Sequence, residues 1–365
     1  MWPDRRLIEL FAIEHPLVLA PMAGLGTVEL AAAVCAAGGL GSIGCATMQP
    51  QLAAQAIEEL RRQTRRPINV NFFCHRPAAL DSNREQAWRD RLSPYCRELG
   101  IEPEPPPRLD IPPFDDAMCK IVEQTGPEVV SFHFGLPEAG LLARVKAAGC
   151  LVMSSATTAG EALWLEAHGV DAVIAQGAEA GGHRATFLAG HLNRAMASQP
   201  GTLALVPQIA DVVSVPVIAA GGIADGRSIA AAFALGASGV QVGTAFLLCS
   251  EAATSAMHRN ALRHACDDQT LVTNVFSGRP ARVIANRLAW ELDALSDAAP
   301  DFPLPLGALA PLRAEAERQQ SHDFTPLWSG QAAALAREMP ARALVMALVQ
   351  EATKRFKHLG CSKAG

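Results

Sequence analysis

The sequence is poor in charge, in tyrosine and in ordered cysteine spacing. Only 18% of its 365 residues are Asp, Glu, Lys or Arg, while 50% are hydrophobic. Soluble domains average about 25% charged residues, so this chain has ample apolar side chain for a large core. That balance excludes a disordered chain and a coiled coil. There is no basic surplus: 31 Lys and Arg stand against 36 Asp and Glu, a formal charge of -5. A nucleic-acid binder needs a positive face to meet phosphates, and none is on offer. No apolar run approaches the ~20 residues that cross a bilayer. The opening MWPDRRLIEL has charge but neither an apolar h-region nor a small-residue cleavage site, so no secretory signal is read there. The nine cysteines lie at 35, 45, 74, 96, 119, 150, 249, 266 and 361, without a CxxC or paired-ligand spacing. That pattern argues against a disulfide framework or a zinc site. Carboxylates do not gather as metal ligands at strand ends. The GxG within AGLGTVEL (23–30) lacks the third glycine of a dinucleotide fingerprint. The expectation is a cytoplasmic α/β enzyme without metal, membrane or nucleic-acid partner.

What the sequence does contain is alternation. Short apolar runs at 16–22, 40–44, 68–73, 128–134, 151–156, 172–177, 216–222 and 239–247 are separated by Ala-rich helical stretches such as VELAAAVCAAGG and RSIAAAFALGA. Continuous rather than alternating apolar strands suit a parallel sheet covered on both faces. Gly39, Gly149, Gly169 and Gly236 fall where helices close. A doubly wound sheet uses the same alternation. The count of eight, with glycine signals after the seventh and eighth runs, favours a (β/α)8 TIM barrel over 1–250. Two excursions leave the catalytic face. One is a Pro-rich stretch, 75–113, with PEPPP at 103–107 and a helix near 84–98, and the other is a loop at 178–201. Residues 251–365 read as a mostly helical lid or substrate segment. Its last helix, 339–356, suits packing on the barrel or on a second subunit, so the chain is expected to be a monomer or a homodimer.

The ends of the last two strands carry the first chemical signal. Gly221 and Gly222 end the seventh run; Gln241, Gly243 and Thr244 end the eighth. Loops at these positions of a barrel bind phosphate through backbone N–H groups, which bare glycines let approach closely. Tight turns at a crowded barrel end would also use glycine. The second signal is QGAEAGGHR (176–184), which places His183 in a Gly-rich loop at the catalytic face, suited to acid–base or electrostatic work. A surface histidine in a mobile loop is the plainer reading. His133, in SFHFG, lies near the mouth or packs as a hydrogen-bonded core histidine. Cys74 and His75 are adjacent on an extended chain and point apart, which discounts them as a nucleophile–base pair. Asn71 offers an amide at the end of the third run. Ala20, Pro21 and Met22 end the first, where Met22 supplies an apolar wall or plain core.

Taken together, APMAG (20–24), AGGLGSIG (37–44), NVNFFCHRP (69–77), SFHFG (131–135), QGAEAGGHR (176–184), AAGGIADGR (219–227), QVGTAFLLC (241–249), SGRPAR (277–282) and HDF (322–324) resemble the nitronate monooxygenase family of flavin barrels. The resemblance runs over nearly the whole chain. AAGGI and QVGT are shared by many nucleotide barrels; the combination with EAGGHR, NVNFFCH and SFHFG is far more specific. It implies FMN with its phosphate at Gly221, Gly222, Gly243 and Thr244. The ring and ribityl chain would lie against Ala20, Met22, Asn71, Gln176 and Gly181, with Pro21 and Gln241 beside them. His183 falls on the family's catalytic histidine, and its protonated form is expected to attract the anion. The implied reaction is oxidation of an alkyl nitronate by O2 to a carbonyl compound and nitrite, without NAD(P)H.

One departure concerns the segment that closes over the site. Close bacterial members of the family place tyrosines and a lysine there; here Phe302, Leu306 and Ala310 stand in those places, and Tyr95 is the sole tyrosine. Loss of phenols and a cation suggests a substrate less polar than propionate 3-nitronate, with His133, Phe302 and Leu306 lining its pocket. Three other readings remain open: an NAD(P)H-dependent flavin reductase, a flavin-binding protein with little turnover, and a flavin-free phosphate-binding barrel.

Overall fold

The computed structural model describes residues 2–79, 81–102, 109 and 111–360. The PEPPP stretch and Cys361 lie outside them. Eight parallel strands form the central sheet: β1 (Leu17–Leu19), β2 (Gly41–Gly44), β3 (Ile68–Phe73), β4 (Val129–His133), β5 (Leu151–Ala156), β6 (Ala172–Gln176), β8 (Val217–Ala220) and β9 (Gly239–Val242). A two-residue strand, β7 (Gly182–His183), interrupts that series. The order is β1-β9-β8-β6-β5-β4-β3-β2, and a bridge from Val18 to Leu40 brings the open edge back to β1. The (β/α)8 barrel expected from the eight apolar runs is therefore present. All eight strands are nearly continuous in burial, as a sheet covered on both faces requires.

Two packed regions hold the barrel and a third lies beside it. Outside the sheet, Leu30, Val34, Ile57, Val145, Leu165, Leu205, Ile209 and Ile229 of the surrounding helices meet Val70, Phe72, Phe132 and Val152 of the strands. Inside, the barrel's N-terminal end is plugged by the helix Arg6–Phe11. Its Leu7 and Phe11 pack on Val18, Leu40, Val129, Met153, Ala172 and Ile218. The third region joins the two parts of the chain outside the barrel alternation. Trp88, Leu92 and Tyr95 of the helix Ser82–Glu98 pack against Phe276, Leu288, Leu309, Leu312 and Phe324.

Several local expectations shift. The helices Ala139–Ala147, Ala159–Ala167 and Gly226–Ala234 do end on left-handed Gly149, Gly169 and Gly236, but the helix Val28–Ala36 ends on Gly38, not Gly39. The run 239–247 is not one strand: β9 stops at Val242 and a 3₁₀ turn occupies Thr244–Phe246. The stretch beyond 250 is not only helical. Strands β10 (Thr270–Thr273) and β11 (Ala281–Ile284) run antiparallel, and β11 also pairs with β7, Ala281 opposite His183. The final helix, Ala341–His358, packs on the barrel against Gly226–Ala234 and Val28–Ala36, where an eighth barrel helix belongs. Gly226 makes that contact possible. A Cβ there would sit 2.3 Å from Glu351 Cβ, and its N–H donates to the Glu351 carboxylate at 3.0 Å. Among the described residues, no helix is long and apolar enough to cross a membrane.

Candidate active site

A cavity of roughly 400 Å³ opens at the C-terminal ends of the barrel strands. Its wall brings together the predicted residues from seven separate stretches of chain: Ala20, Pro21 and Met22; Asn71; His133; Gln176, Gly181 and His183; Gly221 and Gly222; Gln241, Gly243 and Thr244; Phe302 and Leu306. Ala310 is not on this wall; it lines a neighbouring chamber. Trp328, Pro326 and Gly330 close the cavity from the C-terminal side, together with Arg313.

His183 is held, not mobile. As part of β7 its backbone pairs with β11, and its carbonyl accepts from His133 Nε2 and Gln176 Nε2, both at 3.1 Å. Its ring stands among Phe73, Phe134, Phe302 and Trp328, with centroids 5.2 to 6.1 Å away. Nε2 lies 2.9 Å from Ser277 Oγ, and that hydroxyl donates onward to the Arg279 carbonyl at 3.1 Å. A hydroxyl has one proton. With it committed to Arg279, the His183 Nε2–H is the donor to Ser277, and Nδ1 keeps its lone pair for the cavity.

Charge at this histidine differs from the expectation. Burial, reinforced by neighbouring His133, Arg279 and His75, pulls the His183 pKa down to about 3. The ring is therefore neutral near pH 7 and is not a standing cation. His133 is likewise pulled down to about 4, chiefly by burial, with Nδ1 3.2 Å from Ser155 Oγ. Since its Nε2 must donate to a carbonyl, its tautomer is set and its role is to orient His183. His75 is also neutral, at about 4 through burial. It donates from Nε2 to the Ile111 carbonyl at 3.0 Å and leaves Nδ1 unpartnered. A permanent cation beside these histidines is Arg279, whose guanidinium lies 3.8 Å over the Phe134 ring. Phe134 occupies the left-handed region at φ 72°, a conformation costly for a bulky residue, and the adjacent Gly135 shares the turn.

The glycine positions separate into two kinds. Gly221 and Gly222 have φ of 113° and 71°, and a Cβ on Gly221 would stand 2.9 Å from Thr202 Oγ1 and 3.0 Å from Ala180 N. These leave bare backbone at the cavity wall. Gly181 is glycine for another reason: a Cβ there would meet Gly330 N at 2.5 Å, where the C-terminal segment docks. That docking is tied by Gly330 N–H donating to Thr244 Oγ1 at 2.9 Å and by Gln331 N–H donating to the Glu179 carbonyl at 3.0 Å. Thr244 accepts with its oxygen and so retains its proton for a ligand. Gln176 is engaged at both ends of its amide, Oε1 accepting from Ala185 N–H at 2.9 Å and Nε2 donating one proton to the His183 carbonyl, which leaves its second N–H. Gln241 Oε1 is buried and unpartnered.

A further layer fixes the loop after β6. The fully buried Arg184 donates to the carbonyls of Gly177 and Gln176 at 2.7 and 2.8 Å, and burial pulls its pKa down to about 9. Glu161 receives N–H groups of Thr157, Phe187 and Leu188. Neither stood out by residue type and spacing, and neither did Ser277, Arg279, Trp328 or Arg313. Ser277 and Arg279 do fall within SGRPAR, one of the segments that carried the resemblance. Arg313 and Trp328 belong to no motif. Arg313 also returns a positive charge to the wall from which sequence comparison had removed one.

The chain matches the family model described as nitronate monooxygenase over residues 4–351. It is 44% identical to a nitronate monooxygenase of Pseudomonas aeruginosa over 351 residues, which is 95% of this chain and 98% of that protein. It is 43% identical to one from Paraburkholderia phytofirmans, with 97% of each chain covered. Among solved structures, the nitroalkane oxidase of Streptomyces ansochromogenes superposes with a TM-score of 0.87 at 36% identity, covering 97% of this chain and 99% of that one. FabK of Thermotoga maritima gives 0.72 at 30%, covering 97% and 98%. Sequence and structure agree: this chain belongs to the nitronate monooxygenase family.

Proposed function

We propose that this enzyme oxidises alkyl nitronates with O2, using FMN, to carbonyl compounds and nitrite, and that it requires no NAD(P)H. The observation that carries the reading is the single cavity that joins His183 Nδ1 to bare backbone at Gly221 and Gly222. The residues present suit FMN. Gly221, Gly222, Gly243 and the Thr244 hydroxyl form a cradle for a phosphate, and Gln241 Oε1 is a buried acceptor awaiting a donor. Bound there, FMN would supply the electron acceptor that nitronate oxidation needs.

The protein's own contribution is electrostatic and steric. A nitronate is an anion, and entering this cavity it meets a neutral His183 and the field of buried Arg279. An anion beside Nδ1 favours the imidazolium, so binding raises the histidine pKa and promotes proton uptake at Nδ1. His133 and Ser277 hold the ring while that happens. Phe73, Phe134, Phe302 and Trp328 keep water away, which strengthens the charge interaction.

The deciding experiment mixes the purified yellow protein anaerobically with propionate 3-nitronate and, separately, with NADH, while the flavin spectrum is followed. Spectral change with the nitronate and none with NADH supports the proposal. Bleaching by NADH alone assigns the chain to the flavin reductases. No response to either leaves a flavin protein without this activity, and a colourless protein points to a phosphate-binding barrel.

A further inference from the structure

A second chamber, of roughly 480 Å³, adjoins the first. The two share Thr47, Ile111, Leu306, Arg313 and Pro326 as common wall. Beyond that boundary the second chamber is faced by Phe276, Leu309, Ala310, Ala314 and Phe324, with Glu317 at its rim. Its apolar walls are firm: Phe276, Phe324 and Leu309 are almost entirely buried. Leu306, Ala310 and Arg313 recur at helical spacing within Leu304–Arg318, so they line one face. At 1.5 Å per residue, Leu306 to Arg313 spans about 10 Å, room for a chain of roughly eight carbons.

The polar groups on this wall are partly paired with one another. Arg313 Nε is paired with Glu317 Oε1 at 2.7 Å, and Thr325 Oγ1 donates to the same oxygen at 2.9 Å. The chamber therefore offers mostly hydrocarbon, with the charge of Arg313 drawn toward Glu317. A pocket of that chemistry, open to a reaction cavity, takes an apolar group.

We infer that the second chamber is a tail subsite, which holds the unbranched alkyl chain of a substrate whose head lies beside His183. The inference rests on the proposed function for the identity of that head; the tail pocket itself does not. Short substrates fill the first cavity only. Each methylene that reaches the second chamber strengthens binding roughly fourfold, the transfer value of a buried CH₂.

The test is calorimetric titration of the flavin-loaded protein with neutral nitroethane, 1-nitrobutane, 1-nitrohexane and 1-nitrooctane, alongside kcat/KM for their nitronates. Wild type is expected to bind the longer chains progressively more tightly. Ala310→Trp fills the chamber from the helix face, and Ala314→Phe fills it from the outer side. Either variant should flatten the gradient while nitroethane affinity stays the same. An affinity independent of chain length in wild type overturns the inference, as does a gradient that survives both substitutions. Tighter binding of 8-nitrooctanoate than of 1-nitrooctane would overturn it too, because Arg313 would then be reading an anion. A binding gradient without turnover of any nitronate sustains the tail subsite and removes the proposed function.

Discussion

His75→Phe puts the neutral histidines behind the cavity to a quantitative test. In the folded chain His75 titrates at about 4 against an ordinary 6.5, because burial disfavours its charged form. Between those values the unfolded chain binds a proton that the folded chain refuses. Stability contributed by the neutral form is therefore present above pH 6.5 and is lost progressively as pH falls towards 4. At pH 5 the loss covers about 1.5 pH units, or roughly 2 kcal/mol at 1.36 kcal/mol per unit. Phenylalanine does not titrate, so the variant avoids that loss. It also forfeits the hydrogen bond from Nε2 to Ile111, worth about 1 kcal/mol net. The unpartnered Nδ1 means that nothing else polar is given up. The variant should thus be less stable than wild type by about 1 kcal/mol at pH 7 and more stable by about 1 kcal/mol at pH 5, with the curves crossing near pH 6. Urea unfolding followed by tryptophan fluorescence at pH 5, 6 and 7 reads this directly. Parallel stability curves for the two proteins would refute the assignment of His75 as a neutral, desolvated histidine.

Other substitutions probe the site and the frame around it. His183→Asn should retain flavin but slow nitronate oxidation by about 10²–10⁴, the range for loss of a positioned acid–base group; unchanged steady-state rates would remove His183 from the reaction. Ser277→Ala leaves the His183 Nε2–H without its acceptor and is expected to lower kcat about tenfold with flavin content unchanged, which stopped-flow and absorbance ratios report together. Gly243→Val should reduce the flavin retained through gel filtration, since a Cβ there already stands 3.2 Å from Ala20 Cβ and the branches would project into the cavity that Gly243 lines. Gly226→Ala would push on Glu351 and cost about 1–3 kcal/mol of stability; a denaturation midpoint equal to wild type would show that the final helix is not seated as described.

The barrel was legible because its strands are short, apolar and bounded by glycine. Leu17–Leu19, Ile68–Phe73 and Ala172–Gln176 declare themselves by composition alone. The cavity wall was legible for a related reason: chemistry concentrates where those strands end, so Asn71, Gln176, Gly221 and Gln241 could be placed by counting. What could not be read depends on contacts distant in sequence. Nothing local marks Gly182–His183 as a strand, because it pairs with Ala281–Arg282, about a hundred residues away. The neutrality of His183 follows from burial among four aromatic rings drawn from four segments, and Trp328, the nearest of them, belongs to no motif. Arg313 was invisible because a helix with alternating Arg and Glu looks like any solvated face until its position against Leu306 is known.

Those distant contacts carry a consequence for where the site resides. A boundary near residue 250 separates barrel from lid by sequence alternation, yet His183 crosses it. Its backbone is held by β11, its ring by Ser277, and its surroundings by Phe302 and Trp328, all from beyond that boundary. Thr244, at the other end of the cavity, is bonded to Gly330 in the same manner. The barrel supplies a rigid ring of strand ends but cannot by itself exclude water from His183 or set its tautomer. The geometry around His183 and Thr244 therefore depends on docking of the 277–332 segment as much as on the barrel, and the three links Ala281–His183, Ser277–His183 and Gly330–Thr244 are the places where that dependence is enforced.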